Sequence, residues 1–217
     1  MEDILFKISL WTLPILLAFT IPQAGRAWLA DRAGDPTPRQ AGRVTIDPLV
    51  HMHPVGSVIL PLALIVLQVP LLFGFGKPVP VQPANFKNPK SDFIKFCLVG
   101  PGANLALAFV ATFIKIEVIK YGGADTGWLV STLTLTVFFN TILAIFFLLP
   151  IPPLDGGMAV LTILPPKYAL KFAGIERFGF LIILGIIILF PIVPQMIVGL
   201  AMSIVDTFDL LWRGLLL

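Results

Sequence analysis

Few residues in this chain can do chemistry, and they are scattered. The two histidines, His51 and His53, stand two apart in "HMH", Asp155 sits in "PIPPLDGG", and Cys97 is the lone cysteine. Two imidazoles and a carboxylate make a minimal three-ligand metal set that leaves a fourth position for water. Their spacing argues against that use, because His-x-His outside a strand is a weak ligand signal. Both histidines read as loop residues that cap or hydrogen-bond the backbone, and His51, His53 and Asp155 stay open as an alternative metal site. A single cysteine forms no intrachain disulfide and no Cys cluster, so Cys97 reads as a small buried hydrophobe. Asp206 and Asp209 interrupt an apolar C-terminal run. Asp209 can pair with Arg213 at i,i+4, whereas Asp206 has no evident partner.

The elements that must position these groups are membrane helices. The chain has 217 residues, 57% hydrophobic and 12% charged, with a mean hydropathy of +0.96. That composition describes an all-α integral membrane protein. A net charge of +3 dispersed over loops and helix ends excludes a nucleic-acid partner and leaves the bilayer as the surface the cations address. Five apolar runs are long enough to span: Ile4 to Ala33, Asp92 to Tyr121, Trp128 to Leu149, Phe172 to Phe190 and Gln195 to Leu216. The first lacks a basic leader and a small-residue cleavage signature, so it reads as a retained helix. No internal repeat or soluble domain interrupts residues 1–217, which form one transmembrane domain.

One segment, Val55 to Phe75, is apolar but broken by Pro61, Pro70 and Gly74, and the Pro-rich "GKPVPVQPANFKNPK" follows it. If it spans, the 15 Lys and Arg divide nine to six between the two faces. If it is a re-entrant hairpin, Lys7, Lys115 and Lys120 lie on one face and the other twelve on the opposite one. The second split is the stronger positive-inside signal, and irregular backbone is tolerated at membrane depth where protein covers it. The expected topology is therefore a re-entrant segment, the N-terminus outside and the C-terminus in the cytoplasm.

Three blocks carry a resemblance. "QAGRAWLADRAGDPTPRQAGRVTIDPLVHMHPVGSVILP", "FGFGKPVPVQPANFKNPKSDFIKFCLVGPGANLALA" and "FNTILAIFFLLPIPPLDGG" resemble, in order and spacing, the site-2 protease family of intramembrane zinc metalloproteases, from about Ile4 to Phe190. The resemblance implies a site-2 protease-like core in which a His-Glu-x-x-His helix and the Asp of the Leu-Asp-Gly block hold zinc. Two His at i and i+4 share a helix face, the carboxylate completes three ligands, and the Glu activates the water. Aligned through "AWLADRAGDPT", the first His position is Pro22, the Glu is Gln23 and the second His is Arg26. Asp155, Asn104 and Asn140 match family positions, while the Asn before "LLP" is Phe147.

The resemblance thus implies a degenerate member that holds no zinc, since proline has no ligand atom and arginine brings a permanent cation. It also implies that Arg26 lies beside Asp155, where a guanidinium and a carboxylate can satisfy each other. The alternative places Arg26 at the headgroups and Asp155 as a turn cap. Gly100, Gly102 and Ala103 are expected to let a neighbouring helix approach. The functional expectation is a catalytically inactive homologue acting as a binding, assembly or accessory subunit of a membrane protein complex, in a bacterial inner membrane. An active enzyme with a re-formed metal site, and a transporter-like component using Arg26, Asp155 and Asp206, remain the other readings.

Overall fold

The computed structural model describes residues 2–67 and 76–215. Helix α1 (Glu2–Arg32) runs through Pro14 and Pro22 without ending, which is tolerated where neighbouring helices re-satisfy the freed carbonyls. It stops at Gly34, whose φ of +110° favours glycine and where a Cβ would press on the Asn85 carbonyl at 3.1 Å. Two single turns follow, α2 (Thr37–Gln40) and α3 (Pro48–His51), the latter capped by the Asp47 carboxylate on Leu49 N–H at 3.0 Å. A π-helical turn, Pro54–Ile59, leads into α4 (Leu60–Val66).

Those thirteen residues, Pro54–Val66, extend at most ~20 Å as helix, short of the ~30 Å hydrocarbon core. The rest of the expected hairpin, residues 68–75, lies outside the described residues. Its flanks nevertheless meet: Lys77 N–H donates to the His51 carbonyl at 2.8 Å, and Lys87 N–H to the Ala33 carbonyl at 2.9 Å. The described flanks of this segment therefore meet at one face of the bundle, the one where α1 ends and α5 begins.

Helix α5 (Pro89–Tyr121) is 33 residues long, about 50 Å and so longer than the ~30 Å hydrocarbon core, and its first turns carry Lys90, Asp92 and Lys95. It returns through Gly122 to α6 (Gly127–Phe147). Helices α1 and α6 run parallel. Trp128 Nε1 donates to Ser9 Oγ at 3.0 Å near their starts, and further along Phe139 meets Trp11 and Phe19 edge-on at 5.5 and 6.4 Å. With α5 antiparallel to both, the three make the core of the bundle, and α1, α5 and α6 are each long and apolar enough to cross a membrane.

After a Pro-rich turn comes α7 (Asp155–Ile163), pressed so tightly on the end of α6 that a Cβ on Gly156 or Gly157 would collide with the Leu148 and Ile151 backbone. The expected span Phe172 to Phe190 is not one helix. It divides into the short α8 (Pro166–Ala173), a 3-10 turn at Glu176–Phe178 and α9 (Gly179–Leu189), with a 74° bend between Pro166–Phe178 and Leu181–Leu189. Gly174 and Gly179 supply the break: glycine is a poor helix former, and Gly179 packs against the Pro152 carbonyl with no room for a Cβ.

The last helix, α10 (Ile192–Leu215), is also of spanning length; the expected end at Leu216 lies outside the described residues. It docks through Phe208 and Trp212, whose rings lie 5.2 and 4.6 Å from Phe109, and through Lys115, which pairs with Asp209 at 3.1 Å. Asp209 thus takes Lys115 rather than the expected Arg213, because α5 offers a cation across the helix interface. Arg213 lies only ~6 Å further along α10, whereas Lys115 is ~22 Å along α5 from Gly100. The last described turn of α10 therefore packs beside the half of α5 that carries Lys115.

Candidate functional site

Position 26 faces the bundle because α1 buries Ala27 and Ala30 against α5 and α7, small residues that let the helices close up. Arg26 shares that contact region, and its Nη2 donates to Asp155 Oδ2. The side chains are 12% and 15% exposed, so the pair is largely withdrawn from solvent. Asp155 reaches it from the first residue of α7, where the helix N-terminus also favours a carboxylate. Arg26 Nη1 donates to Gln23 Oε1 at 3.3 Å. Gln23 in turn touches the exit of the re-entrant segment: a Cβ on Gly76 would stand 3.5 Å from Gln23 Nε2 and 3.3 Å from the His51 carbonyl. Pro22 is buried one turn away.

Gly100 is the residue that sequence reasoning placed only as a general packing position. A Cβ there would run into the Arg26 guanidinium, so the bare α5 backbone forms the wall against which the cation lies. Gly102 does not share that role, since it is exposed with open space beside it. Asn104, one turn beyond Gly100 on α5, and Asn140 on α6 are fully buried. Asn140 Nδ2 donates to the Thr136 carbonyl at 2.8 Å, while the Oδ1 atoms of both asparagines find no donor among the described residues. Phe147 packs against the cluster formed by Ile15, Ala18, Phe19, Phe139 and Leu143, so the position carries an apolar ring rather than an amide.

The histidines are used otherwise. His51 is fully buried and its Nε2 donates to the Thr45 carbonyl at 2.7 Å, which places the proton on that nitrogen. His53 Nδ1 accepts from Gly56 N–H at 3.1 Å and caps the π-helical turn. Among the described residues no group of three or more His, Cys, Asp or Glu is placed to hold a metal ion, so His51, His53 and Asp155 are not brought together. The donor set around Asp155 does not fit zinc either: Pro22 has no ligand atom, and a guanidinium takes the carboxylate.

Two charges that the sequence reading passed over brace the cap over this site. Asp35, fully buried, accepts from Thr37 N–H and Oγ1, from Gln82 N–H and from Asn85 Nδ2 at 2.6 to 3.1 Å. Burial pushes its carboxyl up, but those hydrogen bonds outweigh it and hold the group below the ordinary carboxylate value. Arg43, 3% exposed, donates to the carbonyls of Val50, Lys77 and Pro78 and so ties the entry of the re-entrant segment to its exit. One signal was present: Asp-Pro-Thr is an Asx-turn sequence; for Arg43 the sequence carried none.

Comparison with known proteins points the same way as the three sequence blocks. The chain is 30% identical over 174 residues to YwhC of Bacillus subtilis (strain 168), provisionally named a zinc metalloprotease, covering 78% of this chain and 76% of that one. It is 30% and 29% identical to the Rip2 proteins of Mycolicibacterium smegmatis and Mycobacterium tuberculosis, which carry the same provisional name. Of those it spans 64% and 62%, a little under two thirds of their length. No family model and no solved structure matches the chain.

Proposed function

The chain belongs to the zinc metalloprotease family of YwhC, and from that premise we propose that it is a degenerate member of the site-2 protease type that has given up peptide hydrolysis. In this reading it acts as a binding, assembly or accessory subunit of a membrane protein complex. The observation that carries the proposal is the Arg26–Asp155 ion pair. A guanidinium fixed on the carboxylate replaces the attraction a dication would supply, and it does so without an open position for water. Gln23 offers an amide where a general base would need a titratable carboxylate. What remains is a helical fold of this family without its metal donors, and in this reading it serves by binding rather than by chemistry. We place it in the inner membrane, a reading that the bacterial relatives and the helices of spanning length favour, and the distribution of Lys and Arg favours an outside N-terminus with the segments 34–54 and 76–91 on the cytoplasmic side.

Zinc content and proteolysis test this directly. Protein freed of affinity tags and dialysed against trace zinc is expected to hold far less than one zinc per chain and to leave a transmembrane peptide library uncut. Near-unit zinc, or cleavage lost on Asp155→Asn, overturns the reading. Co-purification in mild detergent followed by mass spectrometry tests the accessory role, and a chain recovered alone from its native membrane counts against it.

A further inference from the structure

The segment after the Asp155 loop combines charge with uncovered apolar surface. Lys167 and Lys171 are exposed one turn apart on α8, and Tyr168 and Leu170, each about 80° around the helix from the midpoint of the lysines, are 58% and 78% exposed. Beyond Gly174, Arg177 lays its guanidinium over the ring of Phe178 at 4.7 Å, and Phe178 is itself half exposed. Glu176 is the one acid among these three cations. Water would leave Tyr168, Leu170 and Phe178 uncovered, and hydrocarbon would strand the lysines. The headgroup layer satisfies both.

The fold puts the segment at that level. Gly179 abuts the Pro152 carbonyl in the loop that ends at Asp155, and Asp155 pairs with Arg26, six residues before α1 ends at Arg32. The segment then turns through 74° before α9. A recess between Pro153, Ala173, Gly174, Glu176 and Arg177 opens beside the same loop.

We propose that Pro166–Phe178 is an interfacial element that binds anionic phospholipid headgroups through Lys167, Lys171 and Arg177, with Tyr168, Leu170 and Phe178 seated at the acyl boundary. Because the segment rests on Pro152, lipid held there also steadies the loop that carries Asp155.

The test uses the full chain, with Cys97→Ala, in nanodiscs of phosphatidylcholine alone or mixed equally with phosphatidylglycerol. A nitroxide at Leu170→Cys is expected to be reached by oxygen and shielded from an aqueous nickel complex. Native mass spectrometry is expected to show phosphatidylglycerol retained over phosphatidylcholine, the preference falling about fivefold for each of Lys167→Gln, Lys171→Gln and Arg177→Gln. Lys171→Arg and Lys7→Gln should preserve it. Equal retention by the parent and the triple variant overturns the proposal, as does a label at Leu170 that reports bulk water. A label held rigid with no lipid preference, as under a protein partner, overturns it as well.

Discussion

Lys77 donates its backbone N–H to the carbonyl of His51 at 2.8 Å, closing a loop whose two ends lie at one face of the bundle. Single cysteines placed at Gln40 and Lys90, in a Cys97→Ala background, are therefore expected to react with an impermeant maleimide from the same side of sealed vesicles. Labelling from opposite sides would mean that the 55–75 segment spans.

The Arg26–Asp155 pair makes a distinct energetic pattern. Removing one partner leaves the other charge buried and uncompensated, which typically costs ~3 to 5 kcal/mol, while replacing both by apolar residues is often neutral. Arg26→Leu and Asp155→Leu should each lower unfolding stability in detergent, and the double variant should recover much of the loss. Additive losses would show that the pair is not coupled. Gly100→Ala, which drives a methyl into the guanidinium, should cost about 1 to 3 kcal/mol and lose that cost in the Arg26→Leu background.

A converse experiment asks whether the former metal geometry persists. Pro22→His, Gln23→Glu and Arg26→His together would place two imidazoles at i and i+4 on α1, facing a freed Asp155. About one zinc per chain, removable by chelator, is the expected result. No zinc in a folded triple variant would mean that α1 and α7 no longer stand at ligand-sharing distance.

Acid should act first through the cap. The native Asp35 carboxyl lies below its ordinary value, so as pH falls the unfolded chain takes up the proton first. The stabilisation is complete above pH ~4 and disappears as pH drops through the native value. His51 adds an earlier effect. Burial pushes its imidazole down, its bond to Thr45 and the nearness of Asp47 oppose this, and Arg43 adds to the lowering. The unfolded chain therefore binds a proton near pH 6.5 that the native one refuses, and stability declines below that pH. His51→Gln should flatten the decline that begins below pH ~6.5, and Asp35→Asn the one that begins below pH ~4. Unchanged melting curves in both variants would remove the cap from the account.

Much of this arrangement was legible before any coordinates. The prolines of the 55–75 segment and the distribution of lysines and arginines implied a closed, one-sided excursion, and the parallel run of α1 and α6 followed from it. The meeting of Arg26 with Asp155 came from the resemblance, since 129 intervening residues carry no local signal. Where the reading missed, it favoured local partners over distant ones. Asp209 was given to Arg213 because i,i+4 is visible in a sequence, whereas Lys115 on another helix is not. Phe172 to Phe190 is apolar enough to count as a span, but its bend was not legible, because hydropathy sums over a window and ignores Gly174 and Gly179, whose backbones let the chain turn. Asp35 and Arg43 looked like loop charges; their burial depends on the Pro-rich segment 77–86 folding back over them.

The bare backbone at Gly100 also couples two positions that are far apart in the chain. With no side chain on that face of α5, the Arg26 guanidinium lies against main chain, while its other contacts run to Gln23 and Asp155. A side chain at position 100 therefore displaces the far end of Arg26, and a shorter residue at position 26 leaves room for one.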